Sequence, residues 1–211
     1  MKRPLEIRTL FLDIGGVVLT NGWDHLARRR AAGKFKLDWA QMDGRHRLVF
    51  EIYERGMLTL GQYLDLVVFN RPRPFTRAQF QEFMFSQSKS LPNMIDFIRR
   101  LKSNHGLKIV AVSNEARELN AHRIRTFGLD GFVDVFISSC FVHARKPDPA
   151  IFNLALDVAQ SNVSRVLFID NTPMFTLIAQ ERGIHSVLHT DFASTRQKLA
   201  ALGLTDAEGA R

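Results

Sequence analysis

The sequence predicts an α/β fold: a parallel sheet core with helices on both faces, plus a small α-helical cap inserted after the first strand. Three observations carry this. From residue 105 onward, strand-like apolar runs alternate with helical patterns, the order that builds parallel sheets. A separate apolar run, Thr9-Leu10-Phe11-Leu12, ends in Asp13. Between these two regions, residues 20–90 read as helices only. With 211 residues and 45% hydrophobic content, the chain can build one full core, or a core and a small insertion.

The run at 9–12 reads as a strand buried on both faces. Asp13 follows it, and Gly15 and Gly16 then let the backbone turn sharply. Helices are expected over 24–32, 38–55, 59–70 and 76–88, with Thr59 and Thr76 as N-caps. Gly56 and the stretch Arg71-Pro72-Arg73-Pro74 break them. A helix over 91–102 returns to the core and leads into a strand at 108–112. A helix over 115–126, a short strand at 133–137 and a helix over 149–159 follow. The strand Val166-Leu167-Phe168-Ile169 ends in Asp170, a helix over 172–182 closes at Gly183, and 185–188 is a last strand. Residues 1–19 and 91–211 are assigned to the core, 20–90 to the cap, and 204–211 to a frayed tail.

Composition excludes several classes. The single cysteine, Cys140, rules out an intramolecular disulfide and suits a reducing compartment. No signal-like segment and no run of ~18 apolar residues occurs, so a cytoplasmic protein without membrane association is expected. The net charge is +8, but basic residues are scattered over clusters such as Lys2-Arg3, Arg28-Arg29-Arg30 and Arg71/Arg73/Arg77. No aromatic-interleaved basic stripe marks a nucleic-acid partner. The seven histidines lack paired ligand spacing, which speaks against zinc.

Polar residues sit where strands end: Asp13, Ser113-Asn114 and Asp170-Asn171, with Arg145-Lys146-Pro147-Asp148-Pro149 before another helix. In an open parallel sheet these ends converge on one crevice. A hydroxyl and an amide beside a helix N-terminus suit phosphate oxygens. Lys146 offsets charge on a phosphoryl group and on an attacking carboxylate. Asp13 and Asp170 can approach a hard cation, and Asp13 can attack phosphorus.

Phe11-Leu12-Asp13-Ile14-Gly15-Gly16-Val17, Val112-Ser113-Asn114, Arg145 to Phe152 and Leu167-Phe168-Ile169-Asp170-Asn171 together resemble the four motifs of the haloacid dehalogenase (HAD) superfamily. The order is that of the subgroup with a helical cap after the first motif. The resemblance covers residues 7–203, and its most specific piece is Lys146-Pro147-Asp148-Pro149-Ala150-Ile151-Phe152. The Asp-x-Gly-Gly-Val form is similar to glucose-1-phosphate-type phosphatases and to the phosphatase domain of soluble epoxide hydrolase. The resemblance implies a Rossmann-like core and a magnesium-dependent phosphatase of a small phosphorylated metabolite, working through an aspartyl-phosphate in a monomer or homodimer. Asp13 matches the nucleophile and Lys146 the motif-three lysine. Gly15, Gly16, Ser113, Asn114 and Lys146 match the phosphate cradle. Asp13, the Gly15 carbonyl, Asp170 and Asn171 match the magnesium ligands.

Two positions depart from the family pattern. Gly15 stands where most family phosphatases carry a second aspartate, the acid and base of the reaction. Asn171 stands where a carboxylate is usual. The two replacements predict slow turnover, and Asn171 predicts weakened metal affinity. His143, near the Arg-Lys pair, is a conceivable substitute acid or base, and an exposed loop histidine is the plainer reading. Two alternatives stay open: a catalytically impaired protein that binds phosphate and metal, and a metal-independent 2-haloacid dehalogenase. Cys140 reads as inert. Phe75, Phe80, Phe83 and Phe85 read mainly as cap core. Trp23, Trp39, Arg45 and Arg47 are either structural or cavity-lining.

Overall fold

The computed structural model describes residues 6–206. Lys2-Arg3 and tail positions 207–211 lie outside the described residues. Five strands form one parallel sheet: β1 (Thr9–Leu12), β2 (Lys108–Ser113), β3 (Val135–Ser138), β4 (Val166–Asp170) and β5 (His185–Leu188), in the order β3-β2-β1-β4-β5. β1 is central, so Asp13 emerges between β2 and β4. The order reverses on the two sides of β1, which opens the crevice that such sheets offer to ligands.

Side-chain alternation sends the two faces of the sheet into two cores. Leu10, Leu12, Ile109, Ala111, Leu167 and Ile169 pack with α5 (Pro92–His105) and α10 (Phe192–Ala201). Phe11, Val110, Val112 and Phe168 pack with α8 (Pro149–Ala159) and α9 (Pro173–Glu181). Burying each such large side chain contributes roughly 1.5–3 kcal/mol. α6 (Arg117–Phe127) follows β2, and α7 (Ser139–Val142) is a single turn after β3.

Four helices lie between β1 and α5: α1 (His25–Lys34), α2 (Trp39–Glu54), α3 (Leu60–Val67) and α4 (Arg77–Ser86). Thr59 and Thr76 do cap α3 and α4, each in a reciprocal box with a glutamine three residues on. The four helices share an apolar cluster in which Phe80 is fully buried, and Phe75, Phe83 and Phe85 flank it. Ala116 and Leu119 of the core side join the same cluster.

A seam of polar contacts fastens the insertion to the core. Arg145 pairs with Glu54 at 2.9 Å and Glu51 at 3.3 Å, and the Ser139 hydroxyl donates to the Glu54 carbonyl at 2.7 Å. The Glu118 carboxylate accepts the Leu60 N–H at 2.9 Å. Gly56, with φ +70°, lies so close to the Cys140 carbonyl that a side chain there would overlap it.

Several expectations change. α6 begins two residues later than predicted, at Arg117, and its cap is Ala116 with no side-chain bond, so Ser113-Asn114 do not cap it. α7 and α10 were not expected. α7 is too short for a periodic pattern, and in α10 the polar run Ser194 to Lys198 interrupts the apolar spacing. Position 204 is not tail: Leu204 is buried, and Asp206 pairs with Arg100 and Arg196. α9 stops at Glu181 with Arg182 as its cap, and Gly183 takes the positive φ one residue beyond.

Candidate active site

The strand ends meet around one ammonium. Lys146 Nζ lies 3.0 Å from Asp13 Oδ1 and 2.5 Å from Asp170 Oδ2. Lys146 is 1% exposed and Asp170 0%, while Asp13 retains 7% exposure toward a cavity of about 240 Å³. The Asp13 N–H is tied to the Ile169 carbonyl at 2.9 Å, which ties the start of the turn to β4. The other Asp170 oxygen accepts the Thr172 N–H at 2.7 Å. The rings of Phe168 and Phe175 lie 5.4 and 5.1 Å from the Lys146 nitrogen.

Burial drives the Lys146 ammonium toward neutrality, but Asp13 and Asp170 outweigh it and hold its pKa above the ordinary value. Burial pushes Asp170 up to about 6 against the pull of Lys146. The ammonium is therefore a fixed cation, and it cannot serve as a proton donor near neutral pH.

Asn114 braces this lysine. Its amide donates to the Lys146 carbonyl and accepts the Lys146 N–H, each at 2.8 Å. The two bonds clamp the end of β2 to the loop before α8. Ser113 lines the cavity 1% exposed, its hydroxyl 3.5 Å from Glu115 Oε1.

The two glycines have different tasks. Gly16 has φ +76°, and a Cβ there would overlap the Asn171 side-chain amide. Gly15 needs no positive φ, and a Cβ on it would meet only ordinary contacts, 3.6 Å from Asn21 Oδ1 and 3.8 Å from Arg123 Nη1. The sharp turn is thus the work of Gly16 alone. Asn171 Nδ2 lies 3.5 Å from Asn21 Oδ1. Among the described residues, no group of three His, Cys, Asp or Glu side chains could hold a metal ion.

A second cavity, about 440 Å³, opens beneath α1 and α2 and adjoins the first. Asn21, Asn114 and Glu115 line both. The Trp23 indole N–H donates to the Tyr63 hydroxyl at 2.9 Å, and His46 Nδ1 lies 2.9 Å from that hydroxyl. Tyr63 is fully buried, and its O–H has no other acceptor among the described residues, so it donates to Nδ1 and leaves the His46 proton on Nε2. Burial and the nearby Arg28 push His46 down to about 3, so the ring is neutral. Asp43 lies 2.7 Å from Arg47 and 3.5 Å from Arg28. The Tyr53 hydroxyl, stacked ring to ring on Tyr63 at 4.1 Å, has no partner among the described residues.

Other candidates fall outside the crevice. His143 is exposed and donates from Nδ1 to the Arg55 carbonyl at 2.7 Å. Cys140 is fully buried, and burial pushes its thiol up to about 12. Trp39 packs edge-on to His25, and Arg45 donates to the Leu66 carbonyl, whereas Trp23 and Arg47 do line the second cavity. A larger cavity, about 720 Å³, lies between α4 and α6 and contains none of the strand-end residues.

Two residues escape the sequence reading. Arg123, 1% exposed, pairs with Glu115 and donates to the Thr20 carbonyl at 2.5 Å, and both partners of the pair line the Asp13 cavity. Glu115 lies just before α6 and Arg123 two turns into it, too far apart for a local helix pair, and only the tertiary fold brings them together and buries them. The third omission, the Trp23-Tyr63-His46 chain, joins three separate segments and leaves no local signal.

A carboxylate, an ammonium and a second carboxylate at the ends of parallel strands, facing an inserted helical unit, define an α/β enzyme core. The chain belongs to the haloacid dehalogenase-like hydrolases, whose family model matches residues 7–179. A stretch of 92 residues is 29% identical to the protein named putative pyrophosphatase PpaX of Caldanaerobacter subterraneus subsp. tengcongensis, covering 44% of this chain and 41% of that one. Among solved structures, the HAD family enzyme bt-2542 of Bacteroides thetaiotaomicron superposes with a TM-score of 0.73 at 21% identity, over 86% of this chain and 93% of that one. The same enzyme is known in complex with magnesium and inorganic phosphate. A HAD phosphatase from Thermococcus onnurineus has a TM-score of 0.65 at 17% identity, over 95% and 100% of the two chains.

Proposed function

We propose that the protein is a magnesium-dependent phosphomonoester hydrolase of a small phosphorylated metabolite, with Asp13 as nucleophile and the insertion over 20–90 as a cap on the leaving group. The observation that carries this reading is the Lys146 ammonium between Asp13 and Asp170, beside a cavity that continues beneath the insertion. The relative named as a pyrophosphatase and the Bacteroides enzyme's complex with magnesium and phosphate support it.

The donor chemistry fits a hard cation. Asp13 supplies a carboxylate and Asn171 an amide oxygen, and no hydrogen bond takes the Gly15 carbonyl among the described residues. Asp170 has lone pairs left beside Lys146 and Thr172. Magnesium bound there would neutralise charge between an anionic nucleophile and an anionic ester. The chain's own residues then divide the work. Asp13 attacks phosphorus, and Lys146, 3.0 Å from its carboxylate, holds the phosphoryl oxygens. Ser113, Gly16 and Asn114 frame the group, with the Asn114 side chain acting through Lys146. Gly15 and Asn171 give the slow turnover and weak metal affinity expected from their lost charges.

Purified protein with magnesium is expected to release phosphate from p-nitrophenyl phosphate, and Asp13→Asn or EDTA to stop it. Release unaffected by Asp13→Asn would sink the assignment. Binding of magnesium and phosphate by calorimetry with no turnover would replace the enzyme by a binding protein.

A further inference from the structure

A hydrolysis through Asp13 needs a group that gives a proton to the departing oxygen and takes one from water. Position 15 cannot supply it. An ester whose phosphoryl group sits at Asp13, and whose body lies under the insertion, must carry its bridging oxygen across the junction of the two cavities. Asn21, Asn114 and Glu115 line that junction, and only Glu115 can exchange a proton. We propose that Glu115, held in place by Arg123, is the acid and base of the reaction in place of a carboxylate at position 15. The inference rests on the phosphatase reading above.

Glu115 Oε1 takes the Arg123 ion pair and the contact from Ser113, and Oε2 makes no hydrogen bond among the described residues. Arg123 is itself anchored on the Thr20 carbonyl, so the carboxyl group is held from behind. The charged and titratable groups around it are Arg123 from α6, Asp13 just after β1, Lys146 from the loop before α8, Glu54 and Tyr53 from α2, and Cys140 from α7. Burial outweighs the pull of Arg123 and raises the Glu115 pKa, the direction an acid needs. Other candidates are committed: Lys146 to two carboxylates, Glu54 to Arg145, and His46 to Tyr63.

In the first step an Asp13 oxygen bonds to phosphorus, the ester P–O bond breaks, and the Glu115 proton goes to the leaving oxygen. In the second, water attacks the phosphoryl group, Glu115 takes its proton, and the P–O bond to Asp13 breaks. Ester and water become alcohol and phosphate, and both carboxyl groups return to their starting states.

The test is Glu115→Gln, which preserves size and leaves an oxygen for Arg123. With p-nitrophenyl phosphate, whose leaving group needs no proton, the burst of nitrophenolate should stay within about threefold while steady turnover falls by roughly 10²-fold or more. With glycerol phosphate, whose alkoxide does need a proton, the burst should fall as well. Gly15→Asp in the same chain should recover at least about tenfold of the turnover, because a Cβ at position 15 fits. Equal losses in both steps without recovery, or turnover within threefold of native with an unchanged pH profile, would overturn the assignment. If Glu115→Gln does not fold, Glu115→Asp decides: it keeps the ion pair but withdraws the carboxyl group, and native turnover in it overturns the role. Native turnover that depends on Asp13 but is indifferent to position 115 removes only this inference. Absent turnover in the native protein removes both.

Discussion

The mouth of the sheet and the cavity under α1 and α2 handle their polar groups in opposite ways. At the mouth the central charges are matched, and Arg123 Nε at its edge is without a partner among the described residues. Lys146 lies between two carboxylates, and Asn114 both gives and receives a bond from the Lys146 main chain. Under the insertion, the Trp23-Tyr63-His46 chain is satisfied, yet the Tyr53 hydroxyl and Arg28 Nε remain unpartnered. Unmatched buried polar atoms are costly and rarely survive without use. The first region holds its central charges in fixed pairs before anything binds, whereas the second leaves a hydroxyl and a guanidinium N–H for a guest to match.

The sharpest way to break this contrast is Lys146→Met. It leaves Asp13 and Asp170 facing one another without a cation, at a cost of roughly 3–5 kcal/mol by denaturant titration, with phosphate release lost. Stability within about 1 kcal/mol of native would mean the mouth is solvated rather than matched. Tyr63→Phe probes the other region. The ring still stacks on Tyr53, but the Trp23 N–H and His46 Nδ1 lose their partner, which should cost about 1–3 kcal/mol and raise KM more than it lowers kcat. A smaller effect is set by pH. His46 has a folded pKa of about 3 against 6.5 unfolded, so the unfolded chain takes up a proton that the fold refuses. Its contribution is intact above pH 6.5 and falls by up to roughly 1.4 kcal/mol per unit as pH drops toward 3. Glu54 and Glu115, raised by burial, act with the opposite sign, since their contribution is present below 4.5 and is lost as pH rises. The difference between native and His46→Gln titrations isolates the histidine. A difference that does not vary with pH would mean that the ring takes up its proton as readily in the fold as in the unfolded chain.

The sheet was legible because its strands are short apolar runs that end in polar residues, and β1 and β4 could be located to within a residue. The caps at Thr59 and Thr76 were legible because a capping box is a local pattern. Asp13, Lys146 and Asp170 were legible as strand-end chemistry, and the fold brings them together. What stayed hidden depends on distant contacts. Glu115 reads as an ordinary acid before a helix until Arg123 and the insertion bury it. Asn114 reads as a cap or a ligand until its amide is seen on the main chain of residue 146. His46 reads as surface because α2 carries arginines and exposed Leu48 on its other sides.

Gly56 joins α2 to the core with its main chain against the Cys140 carbonyl, at a φ that side chains avoid. That joint contains no rotamers that could relax and absorb a shift. Adding one methyl group would act as a wedge, tilting the end of α2 and with it the Glu54 carboxylate that pairs with Arg145, next in sequence to the lysine. The spacing between the two chambers is thus gauged, at a point remote from either, by the missing side chain of a single residue.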